Sequence, residues 1–162
     1  MLNNQFKTYY RYGSADLEAF SNTVSTKIFD KDATLSPFNE LTLDPGTTAI
    51  WKHELKNTGN LPDTYTFSVA DVVGDSGVLG NITLVLDANN NGVYDAGDTV
   101  LTSASAPLPL KPNEIANLLV LGNVPLIVQP NDFFDVNLTA TTGGQLPKVL
   151  TQIDRVKTVT PV

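Results

Sequence analysis

Residues Asp87-Ala88-Asn89-Asn90-Asn91-Gly92-Val93-Tyr94-Asp95-Ala96-Gly97-Asp98 place oxygen-bearing side chains at positions 1, 3, 5, 9 and 12 of a twelve-residue stretch, with glycine at position 6. A hard divalent cation such as Ca²⁺ takes about six to eight oxygens at short range. Alternate residues of a tightly turning loop can aim those oxygens at one point. Gly92 permits the sharp turn, and Val93 at position 7 is placed to offer its backbone carbonyl. The candidate ligands are therefore Asp87, Asn89, Asn91, Val93, Asp95 and Asp98, and the cofactor they imply is calcium. Three carboxylates are expected to converge there, held together by the cation.

One position departs from the usual pattern. Position 12 is Asp98, not Glu, and the shorter side chain reaches less readily for two-oxygen coordination. Asp is the residue that dockerin-type loops carry at this point, and the stretch resembles them in this respect. The competing reading is a polar turn without metal, because Asn, Asp and Gly are turn residues in any case. Five matches plus the glycine favour the cation.

The elements that must position the loop are strands. Asn81 to Leu86 runs into it and Thr99 to Thr102 runs out, both rich in aliphatic and β-branched residues. A calcium sensor works by swinging paired helices. A loop clamped between strands instead staples a sheet, so metal binding and folding are coupled.

Upstream, Phe6 to Tyr12 and Ala19 to Ile28 read as the two strands of a hairpin about a Gly13-Ser14-Ala15-Asp16 turn, and Asp30-Lys31-Asp32 as a solvated connector. Glu40 to Leu43 reads as a short strand, and Asp44-Pro45-Gly46-Thr47 as a turn. Thr48 to Lys56 alternates: Ala49, Trp51, His53 and Leu55 share the face expected to meet the core, while Ile50, Lys52, Glu54 and Lys56 share the other. Tyr65, Phe67 and Val69 point inward from the next strand. Pro107, Pro109 and Pro112 exclude helix and central strand alike. Ala116 to Val124 is an apolar strand, Phe134, Val136, Leu138 and Ala140 mark a half-buried one, and Gln152 to Thr160 is the last. Short alternating strands separated by Gly, Pro and Asn turns specify an all-β, Ig-like antiparallel β-sandwich of about seven core strands. Residues 1–33 are surplus to that count and form an N-terminal strand pair; residues 34–162 form the sandwich.

Composition bounds the function. The chain has 162 residues, no cysteine and a net charge of −7. Disulfides and thiolate metal sites are excluded. Nucleic acid is a poor partner for an acidic chain without a Lys/Arg cluster, and no apolar run is long enough to cross a membrane. No signal peptide opens the sequence, so the chain reads as a piece cut from a longer secreted protein.

Gly74-Asp75-Ser76-Gly77 matches the tetrapeptide around a trypsin-like nucleophile, but the one histidine, His53, lies on a core face and suits a hydrogen-bonded core residue better than a base. The Asn81-Ile82-Thr83 and Asn137-Leu138-Thr139 sequons lie inside strands and read as chance. Lys52 and Lys56, candidates for an isopeptide cross-link, face outward. No acid/base, nucleophile or phosphate-binding constellation stands out, so the expectation is a non-enzyme.

The order Asp44-Pro45-Gly46-Thr47, then Trp51 to Asn60 ending in Asn57-Thr58-Gly59-Asn60, then Asp63-Thr64-Tyr65-Thr66-Phe67 resembles the conserved-repeat domains of bacterial cell-surface proteins. The loop from Asp87 is similar to calcium loops of surface adhesins. Leu110-Lys111-Pro112-Asn113 stands where that family has an L-x-P-G turn, with Asn in place of Gly. The resemblance spans residues from roughly 36 to 162. Ser21 to Thr26 is similar to the end of a preceding repeat. What the resemblance implies is an extracellular structural or adhesive module of the bacterial surface. Its partners would be neighbouring repeats or copies of itself through edge strands, and a surface glycan or protein. A carbohydrate-binding module of a secreted enzyme is the alternative, because one or two exposed aromatics would suffice for a sugar.

Overall fold

The computed structural model describes residues 2–26 and 29–159. The ends of two expected strands, at residues 27, 28 and 160, lie outside the described residues. Every element among the described residues is a strand, turn or bend. The chain divides into two compact units, Met1–Asp30 and Lys31–Val162.

The first unit holds β1 (Leu2–Asn4), β2 (Lys7–Tyr12), β3 (Ala15–Phe20) and β4 (Val24–Thr26). β1 pairs with β4 and β2 with β3, both antiparallel. The hairpin partner of β2 thus begins at Ala15, not at Ala19 as its composition suggested. The turn is only Gly13-Ser14, with Gly13 at φ 61°, so Tyr12 lies directly opposite Ala15. Register in a hairpin follows loop length. That register sorts the side chains. Lys7, Arg11, Asp16 and Glu18 share one face, where Lys7 meets Glu18 at 2.8 Å and Arg11 meets Asp16 at 3.2 Å. Thr8, Tyr10, Tyr12, Ala15, Leu17 and Ala19 share the uncharged one.

The second unit is the sandwich. Its strands are β5 (Ala33–Ser36), β6 (Glu40–Leu43), β7 (Thr48–Asn57), β8 (Asp63–Asp71), β9 (Gly80–Leu86), β10 (Thr99–Leu101), β11 (Leu108–Leu110), β12 (Ile115–Asn123), β13 (Phe133–Thr142) and β14 (Val149–Thr158). They form two five-stranded sheets, in the orders β10-β9-β12-β7-β5 and β11-β8-β13-β14-β6. The sandwich architecture is the one expected; among the described residues ten strands build it, eight of them from Thr48 onward, where about seven were expected. The surplus is in short edge pieces. The chain changes sheets between β5 and β6, and β10 and β11 are each three residues long. β11 contains Pro109 and sits at a sheet edge, where a missing N–H is tolerated. One ladder is parallel, between β6 and β14.

Alternation decides what enters the core. Ala49, Trp51, His53 and Leu55 of β7 are all buried, as are Phe134, Val136, Leu138 and Ala140 of β13. Each large aliphatic or aromatic side chain so buried stabilises the fold by about 1.5–3 kcal/mol. The Trp51 indole N–H donates across the sandwich to the Arg155 carbonyl at 3.3 Å. Gln152 closes the same side by donating to Leu35 O at 2.7 Å. The Asn57 to Asn60 turn is held by the buried Asn57 amide: its Nδ2 donates to Leu61 O and Leu110 O, and its Oδ1 accepts from Gly59 N. That one side chain ties together the turns after β7 and after β11.

Candidate metal centre

β9 and β10 are adjacent, with Thr99 opposite Leu86, so residues 87–98 are the whole connection between two paired strands. Asp87 N donates to Asn117 O at 3.0 Å, extending the ladder one residue beyond Leu86 and fixing where the loop begins. Asp87 itself is buried.

From there the loop wraps around its own side chains. The Asp87 carboxylate accepts from Gly92 N at 2.8 Å and from Asn91 N at 3.2 Å. Asn89 Oδ1 accepts from Asn91 N, and Asn91 Oδ1 from Val93 N at 2.8 Å. Asp95 Oδ2 accepts from both side-chain amides, Asn89 Nδ2 at 3.0 Å and Asn91 Nδ2 at 2.7 Å. Its Oδ1 accepts from Gly97 N. The Asp98 carboxylate accepts from Ala88 N and Asp95 N, both at 3.0 Å, and so buckles the two ends of the loop together. The Gly97 amide, then Asn89 and Asn91, hold the Asp95 carboxyl below the usual carboxylate range.

Gly92 sits at φ 74°, in the left-handed region that costs any other residue strain. A Cβ there would also lie 1.9 Å from Lys52 Nζ. The loop therefore folds back over the outward side of its sheet. There Lys52, Leu119, Val85 and Val100 form one cross-strand row. Leu119 and Val85 are only 1% and 0% exposed, although they do not belong to the core cluster between the sheets.

The side chains of Asp87, Asn89, Asn91 and Asp95 are thus brought into one hydrogen-bonded network, with Asp98 one bond away. No group of three acid or imidazole side chains gathers at one point among the described residues. The carboxylates of Asp87, Asp95 and Asp98 each accept from backbone amides, and the side-chain amides of Asn89 and Asn91 both reach Asp95. The donor set is all oxygen and hard, and each Asn can present Oδ1 where it now presents Nδ2, so the residues fit Ca²⁺ and not a soft metal.

The other sequence candidates have structural partners. Ser76 accepts from Phe133 N through Oγ and donates its N–H to Phe133 O, and Asp75 accepts from Asp135 N at 2.6 Å. The Gly74 to Gly77 stretch is spliced onto the start of β13. His53 instead bonds Asp154, with Nε2 2.7 Å from Oδ2 and both side chains fully buried. Asn39 Nδ2 bridges Asp154 Oδ1 and the Lys52 carbonyl. The reading from sequence missed Asp154. The signal was available: Asp154 shares the inward register of β14 with Val156 and Thr158.

No family model matches the chain, and no curated protein matches it. Among solved structures it is similar to part of a family 123 glycoside hydrolase from Clostridium perfringens, at 15% identity and a TM-score of 0.51, covering 82% of this chain but 28% of that one. It is also similar to a human ASH/PapD-like domain of CEP192, at 13% identity and a TM-score of 0.40, covering 87% of this chain and 96% of that one. A third is AggA, the major subunit of aggregative adherence fimbriae type I from Escherichia coli, at 10% identity and a TM-score of 0.36, covering 83% and 98%. The chain thus spans less than a third of the first of these. The likeness to the first is one of fold alone.

Proposed function

We propose that the chain is a non-catalytic structural or adhesive module of a bacterial surface protein, rigidified by calcium at the 87–98 loop. The observation that carries this is the wrap of the loop: the buried Asp87 carboxylate takes Asn91 N and Gly92 N while Asn89 and Asn91 turn to Asp95. Asp87, Asn89, Asn91, Asp95 and Asp98 would hold the ion through side-chain oxygens, with the Val93 carbonyl. Bound calcium supplies positive charge at the point where those acceptors face one another. The chain's own contribution is to place the oxygens and to lock both ends of the loop into adjacent strands. Extracellular calcium is abundant, and a stapled hairpin suits a stalk that bears load. Partners on this reading are neighbouring repeats or further copies of the chain, added through edge strands whose amides lack partners.

The test is thermal melting with calcium and with chelator. At calcium about 100-fold above Kd, linkage contributes about 2.7 kcal/mol, or roughly 5–10 °C for a domain of this size. Asp87→Ala is expected to abolish the difference. Identical melting of the unaltered chain in both conditions would refute the staple.

A further inference from the structure

Beside the loop lies a cleft of about 420 Å³, in the size range of small-molecule sites. It is lined by Pro37, by Lys52 and Glu54 of β7, by Asn117 and Leu119 of β12, and by Asp87 and Asn90 of the loop. The register puts Lys52 opposite Leu119 and Glu54 opposite Asn117, so these four form two adjacent rows on the outward face of the sheet. The side chains of Lys52, Glu54, Asn90 and Asn117 make no hydrogen bond or ion pair among the described residues.

The chemistry of the walls selects the ligand class. A phosphate or other anion meets one cation but two carboxylates, Glu54 and Asp87. A lipid or flat apolar molecule finds only Leu119 and Pro37. A ligand with several neutral hydroxyls and one C–H flank meets the open groups: hydroxyls accept from Lys52 and the two amides, donate to Glu54 and to the amide oxygens, and the flank lies on the exposed Pro37. We propose that this cleft binds a short saccharide. Asp87 and Asn90 of the calcium loop also line the cleft, but Glu54 belongs to β7, so Glu54→Gln tests the sugar assignment separately from the calcium staple.

The experiment is saturation-transfer NMR on the full chain, with glucose, galactose, mannose, N-acetylglucosamine and their disaccharides at millimolar concentration. At least one is expected to receive saturation and to shift the Asn117 side-chain amide and the Leu119 methyls. Asn117→Ala and Glu54→Gln should each weaken that binding roughly tenfold at unchanged melting temperature. Should Asn117→Ala itself lower the melting temperature, Glu54→Gln, at an exposed position, decides alone. Absence of transfer to every sugar overturns the proposal. So does binding that Glu54→Gln leaves intact, and so does binding of free lysine or glutamate in place of sugars.

Discussion

Two polar clusters in the sandwich are built from nearly the same residue types and live under different physics. His53, Asp154 and Asn39 meet between the sheets, where the His53 and Asp154 side chains are fully buried. Asp87, Asn89, Asn91 and Asp95 meet in a loop whose residues beyond Asp87 are largely open to water. Inside, a carboxylate has nothing but its chosen partners, so removing one leaves an uncompensated buried charge. In the loop, water and backbone amides stand ready to replace whatever is lost, and such bonds contribute little net stability. A dry cluster holds itself together; a wet one needs an outside charge to become equally firm.

The largest expected effect breaks the dry cluster. His53→Leu strands Asp154 and should cost about 3–5 kcal/mol in chemical denaturation, whereas His53→Leu with Asp154→Leu should recover most of the loss. A single variant as stable as the parent would erase the contrast. Next comes the calcium-dependent melting described above, with its loss in Asp87→Ala, which measures how far an ion lifts the wet cluster toward the dry one.

Gly92→Ala tests the turn apart from the ligands. It keeps every oxygen but forces a Cβ into the left-handed region and onto Lys52, so it should destabilise the calcium-loaded chain by about 1–2 kcal/mol. Unchanged melting would mean that the wrap is not needed.

Two titrations sharpen the same contrast. Burial first, then the nearby charges of Asp63 and Asp32, pushes the Tyr65 phenol up to about 12. A raised pKa in the folded state means stability fully present below the ordinary tyrosine value of about 10 and lost as pH climbs from there toward the folded value. Denaturation midpoints should therefore fall across that alkaline window, and Tyr65→Phe should flatten the fall. Asp95 is the opposite and smaller case. Its pKa is lowered, so its contribution is present above the unfolded carboxylate value and is lost as pH drops through the folded one. In chelator, the Gly97 amide resonance should report that loss at acid pH, and Asp95→Asn should silence it.

Long strands with one wet face were legible in the sequence because burial imposes period two on them. β7 is the clearest case: Ala49 to Leu55 alternate, and each inward residue is buried. The loop was legible because its oxygens recur at fixed intervals. Three things were not. β11 is too short to show a period and exists only because a neighbouring strand offers bonds. The hairpin register near Gly13 turned on a two-residue loop that composition alone does not reveal. The Asp154 partnership depended on a contact 101 positions away along the chain. In each case the deciding interaction lies outside the window in which a local pattern can be read.

The parallel pairing of β6 with β14 has a mechanical meaning. Glu40 to Leu43 lie alongside Arg155 to Thr158, running in the same direction. Draw the segment before Ala33 and the segment after Thr158 apart. β5, held to β7 by four register pairs, is loaded first. The pull then reaches β6, whose bonds to β14 lie across the direction of tension and must yield together. The sandwich is thus expected to resist stretching as a shear joint, not as a zipper.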